Sequence, residues 1–241
     1  MRMTVPDTRQ QYAGDAPVTI ERREGPHGEV VLRRRGAHYE IIANGCFLMD
    51  TADGRSERLL VDAALGALPA GRPAPSVLIG GLGVGFSLAR AAGEPRWGRI
   101  TVVEREAAVI DWHRTGPLAE ISGRALADPR TEIVHDDLVT YLHTADIPDA
   151  PHARFDALCL DIDNGPDWTV TDDNDSLYSP SGLAACRARL TPGGVLAVWS
   201  AQPSPAFEQT LRNAGFAGVI TEEITVARGV PDVVHLGIRA A

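Results

Sequence analysis

The sequence predicts an α/β fold: a mainly parallel sheet with helices on both faces, preceded by a small antiparallel β unit. Three observations carry this. From residue 76 onward, short apolar runs rich in β-branched residues alternate with segments of helical period. Those runs are apolar throughout, as strands are when both faces of a sheet are covered. Residues 18–50 instead hold short β-textured segments separated by turn residues, with no helical pattern between them.

Residues 1–17 are mostly polar, contain Pro and Gly, and are expected to form a flexible N-terminus. In the β unit, placed over 18–56, strands are predicted at 18–20, 29–32, 39–43 and 46–49. Asn44-Gly45 joins the last two, a hairpin signal because both residues tolerate positive φ. Apolar residues at 60, 61, 64, 65 and 68 predict a helix over 57–68, which opens the second unit, 57–241. After a Pro/Gly/Ala linker, strands are predicted at 76–79, 100–103, 132–134, 157–160 and 195–199. Helices are predicted at 84–92, 106–114, 137–143, 181–190 and 204–214. Two closing strands fall near 217–226 and 232–239.

Composition narrows the function. The 241 residues carry a net charge of −9, and the only basic cluster is Arg33-Arg34-Arg35, so nucleic acid is not an expected partner. No apolar run approaches the roughly 20 residues that cross a bilayer, and the first residues lack a signal-peptide core. A cytoplasmic protein is the expectation. Cys46, Cys159 and Cys186 have no zinc spacing, and no metal is expected.

Four motifs carry chemistry. In VLIGGLGVGFSLAR, 77–90, an apolar strand enters a turn with Gly80, Gly81, Gly83 and Gly85, and a helix leaves it. Such a turn lets a ligand approach the backbone and offers it the N–H groups of a helix start. Glu104 closes the next strand, where a carboxylate can accept hydrogen bonds from a ribose diol. Asp136 and Asp137 follow the third strand; one serves as a helix N-cap, the other as an adenine contact, and Asp137 is taken as the ligand. Finally FDALCLDIDNGPDW, 155–168, ends a strand at Leu160, so that Asp161 and Asp163 emerge at the carboxyl edge of the sheet. Paired carboxylates there can hold a cationic amine and remove its proton. The run DxDNGPDWTVTDD lacks EF-hand spacing and its terminal Glu, which argues against calcium.

In this order the motifs resemble those of the polyamine aminopropyltransferases, the spermidine synthase-like branch of the class I methyltransferase fold. The resemblance runs from about Tyr39 to Trp199 and is most specific at SLYSPSGLAACRARLTPGGVLAV, 176–198. It implies a Rossmann-like domain in which Gly80–Gly85 form the nucleoside loop, Glu104 the ribose acid and Asp137 the adenine-side acid. It places the catalytic acid at Asp161, with Asp163 and Tyr178 beside it. The donor is then S-adenosylmethionine or its decarboxylated form, the acceptor a small-molecule amine, and the product methylthioadenosine. A homodimer through the N-terminal β unit is the assembly this resemblance implies.

The departures fall on the polyamine half of the site. The family keeps an Asp in the nucleoside loop that holds the aminopropyl amine; here it is Gly83. Its Gln after the hairpin corresponds to Leu48 and its Tyr before the helical Glu to Arg55. Its Asp-x-x-Asp-Pro becomes Asp161-Ile162-Asp163-Asn164-Gly165-Pro166. Losing the acid at 83 removes a charge-assisted contact of about 1.5–3 kcal/mol. Two alternatives therefore stand beside the transferase reading: an S-adenosylmethionine-dependent methyltransferase, and a catalytically silent nucleoside-binding protein.

Overall fold

A computed structural model describes residues 16–144, 154–162, 164–167, 174–224 and 230–240. The expected flexible N-terminus falls almost wholly outside these residues.

The chain opens with four antiparallel strands in sequential order: β1 (Val18–Gly25), β2 (Gly28–Arg35), β3 (His38–Ala43) and β4 (Cys46–Asp50). Asn44 and Gly45 make the β3–β4 turn with φ of 50° and 78°, the two positive values that a two-residue hairpin loop needs. The basic cluster is spent inside this sheet: Arg33 and Arg35 both bond the carboxylate of Glu40, which is buried.

The larger sheet has seven strands in the order β10-β11-β9-β8-β5-β6-β7. β5 (Ser76–Gly80), β6 (Arg99–Glu104), β7 (Thr131–His135), β8 (Phe155–Leu160) and β9 (Leu190–Ser200) are parallel. β10 (Phe216–Ile224) and β11 (Asp232–Arg239) close it antiparallel, with β11 inserted between β9 and β10. From β5 the chain steps outward to β6 and β7, then returns to β8 and β9 on the other side. That reversal leaves a crevice at the carboxyl ends of β5 and β8, where open α/β sheets take their ligands.

Strand residues alternate between two apolar layers, as a period of two requires. Val77, Ile79, Ala157, Cys159 and Val195 face α1 (Arg55–Ala67), α2 (Phe86–Gly93) and α3 (Ala107–Arg114). Leu78, Leu158, Leu160, Leu196 and Val198 face α5 (Leu138–His143), α7 (Pro180–Arg189) and α8 (Pro205–Asn213). Two short helices complete the set, α4 (Ala119–Leu126) and α6 (Asp175–Tyr178). The sequence reading gave α4 no helix, because Ser122 and Gly123 interrupt its pattern. It also began α2 too early: Val84 and Gly85 belong to the turn, and Gly85 is the left-handed N-cap. The first core layer joins the small sheet to the large one, and polar contacts reinforce it. Glu21 of β1 accepts the indole N–H of Trp112 at 2.7 Å, and Arg23 pairs with Asp111 at 2.7 Å.

Candidate active site

The glycine turn sits at the crevice and is stitched to both neighbouring strands. The Gly80 carbonyl accepts the N–H of Asp161 at 3.1 Å, and the Gly81 N–H donates to Val103 at 2.9 Å. Gly81 has φ +88°, and a Cβ there would lie 2.8 Å from the carbonyl oxygen of Asp161. Only glycine lets these two segments meet. The turn and the strand-end acid, 80 residues apart in the chain, are thus parts of one surface.

Glu104 lies beneath the turn, 7% exposed. Its Oε2 accepts the Leu82 N–H at 2.8 Å and its Oε1 the Glu106 N–H at 2.7 Å. Burial pushes its carboxyl above the usual range, against the pull of those two amides. Each oxygen keeps lone-pair capacity for a sugar hydroxyl. Asp137 is the N-cap of α5, with Oδ1 on the Thr140 N–H at 2.8 Å, and Asp136 accepts the Asp137 N–H at 2.8 Å. The residue chosen from sequence as the adenine contact is therefore also the cap.

Two side chains grip the turn from outside it. His113, 1% exposed, places Nε2 2.8 Å from the Gly83 carbonyl and Nδ1 2.6 Å from the Ser122 hydroxyl. A carbonyl only accepts, so Nε2 carries the proton and Nδ1 accepts from Ser122. Burial lowers the pKa of His113, which keeps this neutral tautomer. On the other side Met49 of β4 sets its Sδ 3.1 Å from the Val84 N–H.

Asp161 belongs to a wider acidic group that no motif announced. Glu57, in the first turn of α1, has its carboxyl pushed up to about 8, by burial first and then by the charge of Asp161. Asp161 itself is pushed up to about 6 by burial, with Asp232 adding to the rise. Asp232, the first residue of β11, is raised by burial and accepts the Ser56 hydroxyl at 2.7 Å. Ser87, in the first turn of α2, lies 3.5 Å from Asp161 and 3.3 Å from the Glu57 carbonyl. The nearby arginines bond other partners, Arg55 pairing with Asp53 at 2.6 Å and Arg58 stacking on Phe86, and temper the group only through space. Among the described residues no guanidinium is hydrogen-bonded to Asp161 or Asp232. Carboxylates gathered this way favour a proton or a cationic guest.

Asp163 lies outside the described residues. Tyr178 is buried in the second core layer, where its ring meets that of Phe207 edge-on at 5.7 Å. Asp232 was missed because the residues around it read only as a strand. The available signal was an acid opening an otherwise apolar run, DVVHLGI.

The chain is similar to several known proteins. A polyamine aminopropyltransferase of Mycobacterium tuberculosis is 32% identical over 215 residues, which is 87% of this chain and 38% of the relative. That of Corynebacterium efficiens is 31% identical over 229 residues, 92% of this chain and 41% of the relative. The chain therefore spans about two fifths of the length of these curated relatives. No protein-family model matches it. Among solved structures, a spermidine synthase in complex with the transition state analogue AdoDATO superposes with a TM-score of 0.73 at 17% identity, covering 92% of this chain and 74% of that one. The spermidine synthase of Thermotoga maritima gives 0.69 at 18% identity, covering 92% and 73%. The fold is the class I methyltransferase-like fold.

Proposed function

We propose, from its similarity to the polyamine aminopropyltransferases, that this chain is a spermidine synthase-like transferase acting on a sulfonium nucleoside and an amine. The donor is S-adenosylmethionine or its decarboxylated form, and the group moved is an aminopropyl-type alkyl chain. The observation that carries this reading is the contact of Asp161 with Gly80 and Gly81, which sets a carboxylate against the turn suited to the nucleoside.

The nucleoside lies along Gly80–Gly85, with Glu104 and Asp137 toward its sugar and base. The amine arrives as an ammonium ion, held by the acidic group of Asp161 and Asp232, with Glu57 beside them as a hydrogen-bonding carboxyl. Asp161 takes a proton from it, in the role of general base. The freed nitrogen lone pair attacks the carbon beside the sulfonium, the C–S bond breaks, and its electron pair returns to sulfur. Methylthioadenosine leaves as a neutral thioether. Asp163 is placed beside Asp161 by sequence alone.

The same proposal includes a cytoplasmic homodimer. Its support is that all three cysteines are free and that Val18 and Ile20 are exposed on the edge strand β1. Among the described residues no helix is long and apolar enough to cross a membrane.

The experiment is to incubate the protein with S-adenosylmethionine or its decarboxylated form and a panel of amines, and to identify the nucleoside product by mass. Methylthioadenosine is expected. S-Adenosylhomocysteine would instead mark a methyltransferase, the reading that the uncharged Gly83 favours. Failure of either nucleoside to bind at millimolar concentration would remove both.

A further inference from the structure

The Gly83–Val84 peptide is held at both ends by the protein. Its carbonyl accepts from His113 at 2.8 Å and its N–H faces the Met49 sulfur at 3.1 Å. The N–H of that peptide is not left for a ligand, and the surface beside it is the Met49 thioether. A Cβ on Gly83 would meet Met49 Sδ at 2.4 Å and Cε at 2.9 Å, and φ at Gly83 is +50°. A side chain at position 83 would be strained at that φ and would have to displace the Met49 thioether. Met49 thus stands where a side chain at 83 would project.

Met49 reaches the turn through an irregularity in its own sheet. Ile41 pairs with Met49 and Ile42 with Phe47, so Leu48 is the extra residue of a bulge. A bulge bends its strand and re-aims the residues next to it. Leu48 and Met49 both pack against the first core layer. The hydrogen bond that Met49 accepts from the turn is thus a soft, uncharged one.

We propose that Met49 is the specificity-determining residue for the donor tail: its thioether replaces a charged partner, so the nucleoside is selected by base and sugar while its tail meets a neutral wall. This rests on the reading that a sulfonium nucleoside occupies the glycine turn. A neutral wall neither rewards an ammonium-only tail nor repels a carboxylate.

The test compares three stable probes by calorimetry on the full chain. They are methylthioadenosine, whose tail is uncharged; S-adenosylhomocysteine, with an ammonium and a carboxylate; and decarboxylated S-adenosylhomocysteine, with the ammonium alone. The wild type is expected to bind the three within about fivefold, and Met49→Leu to keep those ratios. Met49→Glu puts a carboxylate on the wall and should favour the ammonium-only probe over methylthioadenosine by about tenfold, the scale of one charge-assisted hydrogen bond. A wild type that already prefers the ammonium-only probe tenfold, or a Met49→Glu protein with unchanged ratios, overturns the proposal while the nucleoside site stands. If methylthioadenosine itself fails to bind at millimolar concentration, the nucleoside reading falls and takes this proposal with it.

Discussion

Asp161 gives its backbone N–H to the carbonyl of Gly80, 3.1 Å away, so the acid and the glycine turn share one peptide-to-peptide contact at the end of the β5–β8 ladder. The backbone carries the acid into place, and its side chain is left to do chemistry. Asp161→Asn keeps the size and the backbone bond and removes the base. Turnover should fall by about 10²–10⁴-fold, while methylthioadenosine binding, measured by calorimetry, stays within error. Full activity in this variant would remove Asp161 as the base.

The acidic group predicts a pH dependence of stability. Burial raises Glu57 to about 8 and Asp161 to about 6; the charge of Asp161 adds to the first rise and that of Asp232 to the second. Unfolded carboxyls titrate near pH 4. Between about pH 4.5 and 8 the folded chain therefore holds more protons than the unfolded one, and its stability declines as pH rises. The midpoint of thermal unfolding should drop from pH 5 to pH 8, and Glu57→Gln should remove much of that slope. A slope that Glu57→Gln leaves untouched would show that the burdened group lies elsewhere.

Asp232 was found only in the folded chain, and its role is separable from that of Asp161. Asp232→Asn preserves a partner for the Ser56 hydroxyl and deletes one charge facing the acceptor. The KM for the amine should rise by roughly tenfold, about 1.4 kcal/mol, with donor affinity unchanged. A change confined to the donor would place Asp232 on the wrong side of the site.

Glu104 makes the opposite kind of prediction, because its two oxygens are both committed to backbone amides. In Glu104→Gln the new NH2 must face one of those N–H groups and leave a donor without an acceptor. Stability should fall by about 1–3 kcal/mol, read by denaturant unfolding, and nucleoside affinity should fall with it. Loss of affinity at full stability would mean that the carboxylate serves the ligand alone.

The fold was legible in the sequence wherever the signal was local. Asn44-Gly45, the apolar strands and the turn with Gly80, Gly81, Gly83 and Gly85 all state their geometry within a few residues. α4 was not legible, since Ser122 and Gly123 dilute its period, and Ser122 faces inward only because His113 needs a donor there. The site was half legible for the same reason. Glu104 ends a strand and Gly81 and Asp161 each directly follow one, and strand ends can be read. Met49, Glu57 and Asp232 become a site only through topology: a bulge, a helix start and an antiparallel strand bring them to the crevice from three parts of the chain. Asp137 shows the reverse difficulty, since a cap and a ligand want the same residue at the same position.

The insertion of β11 between β9 and β10 makes the Asp232 edge of the crevice its most non-local part. Ser56 and Asp232 are 176 residues apart when they meet, whereas Glu104 reaches Leu82 across 22. Contacts so distant along the chain carry the larger loop-closure cost, so in refolding the order of the Asp232 edge should follow that of the glycine turn.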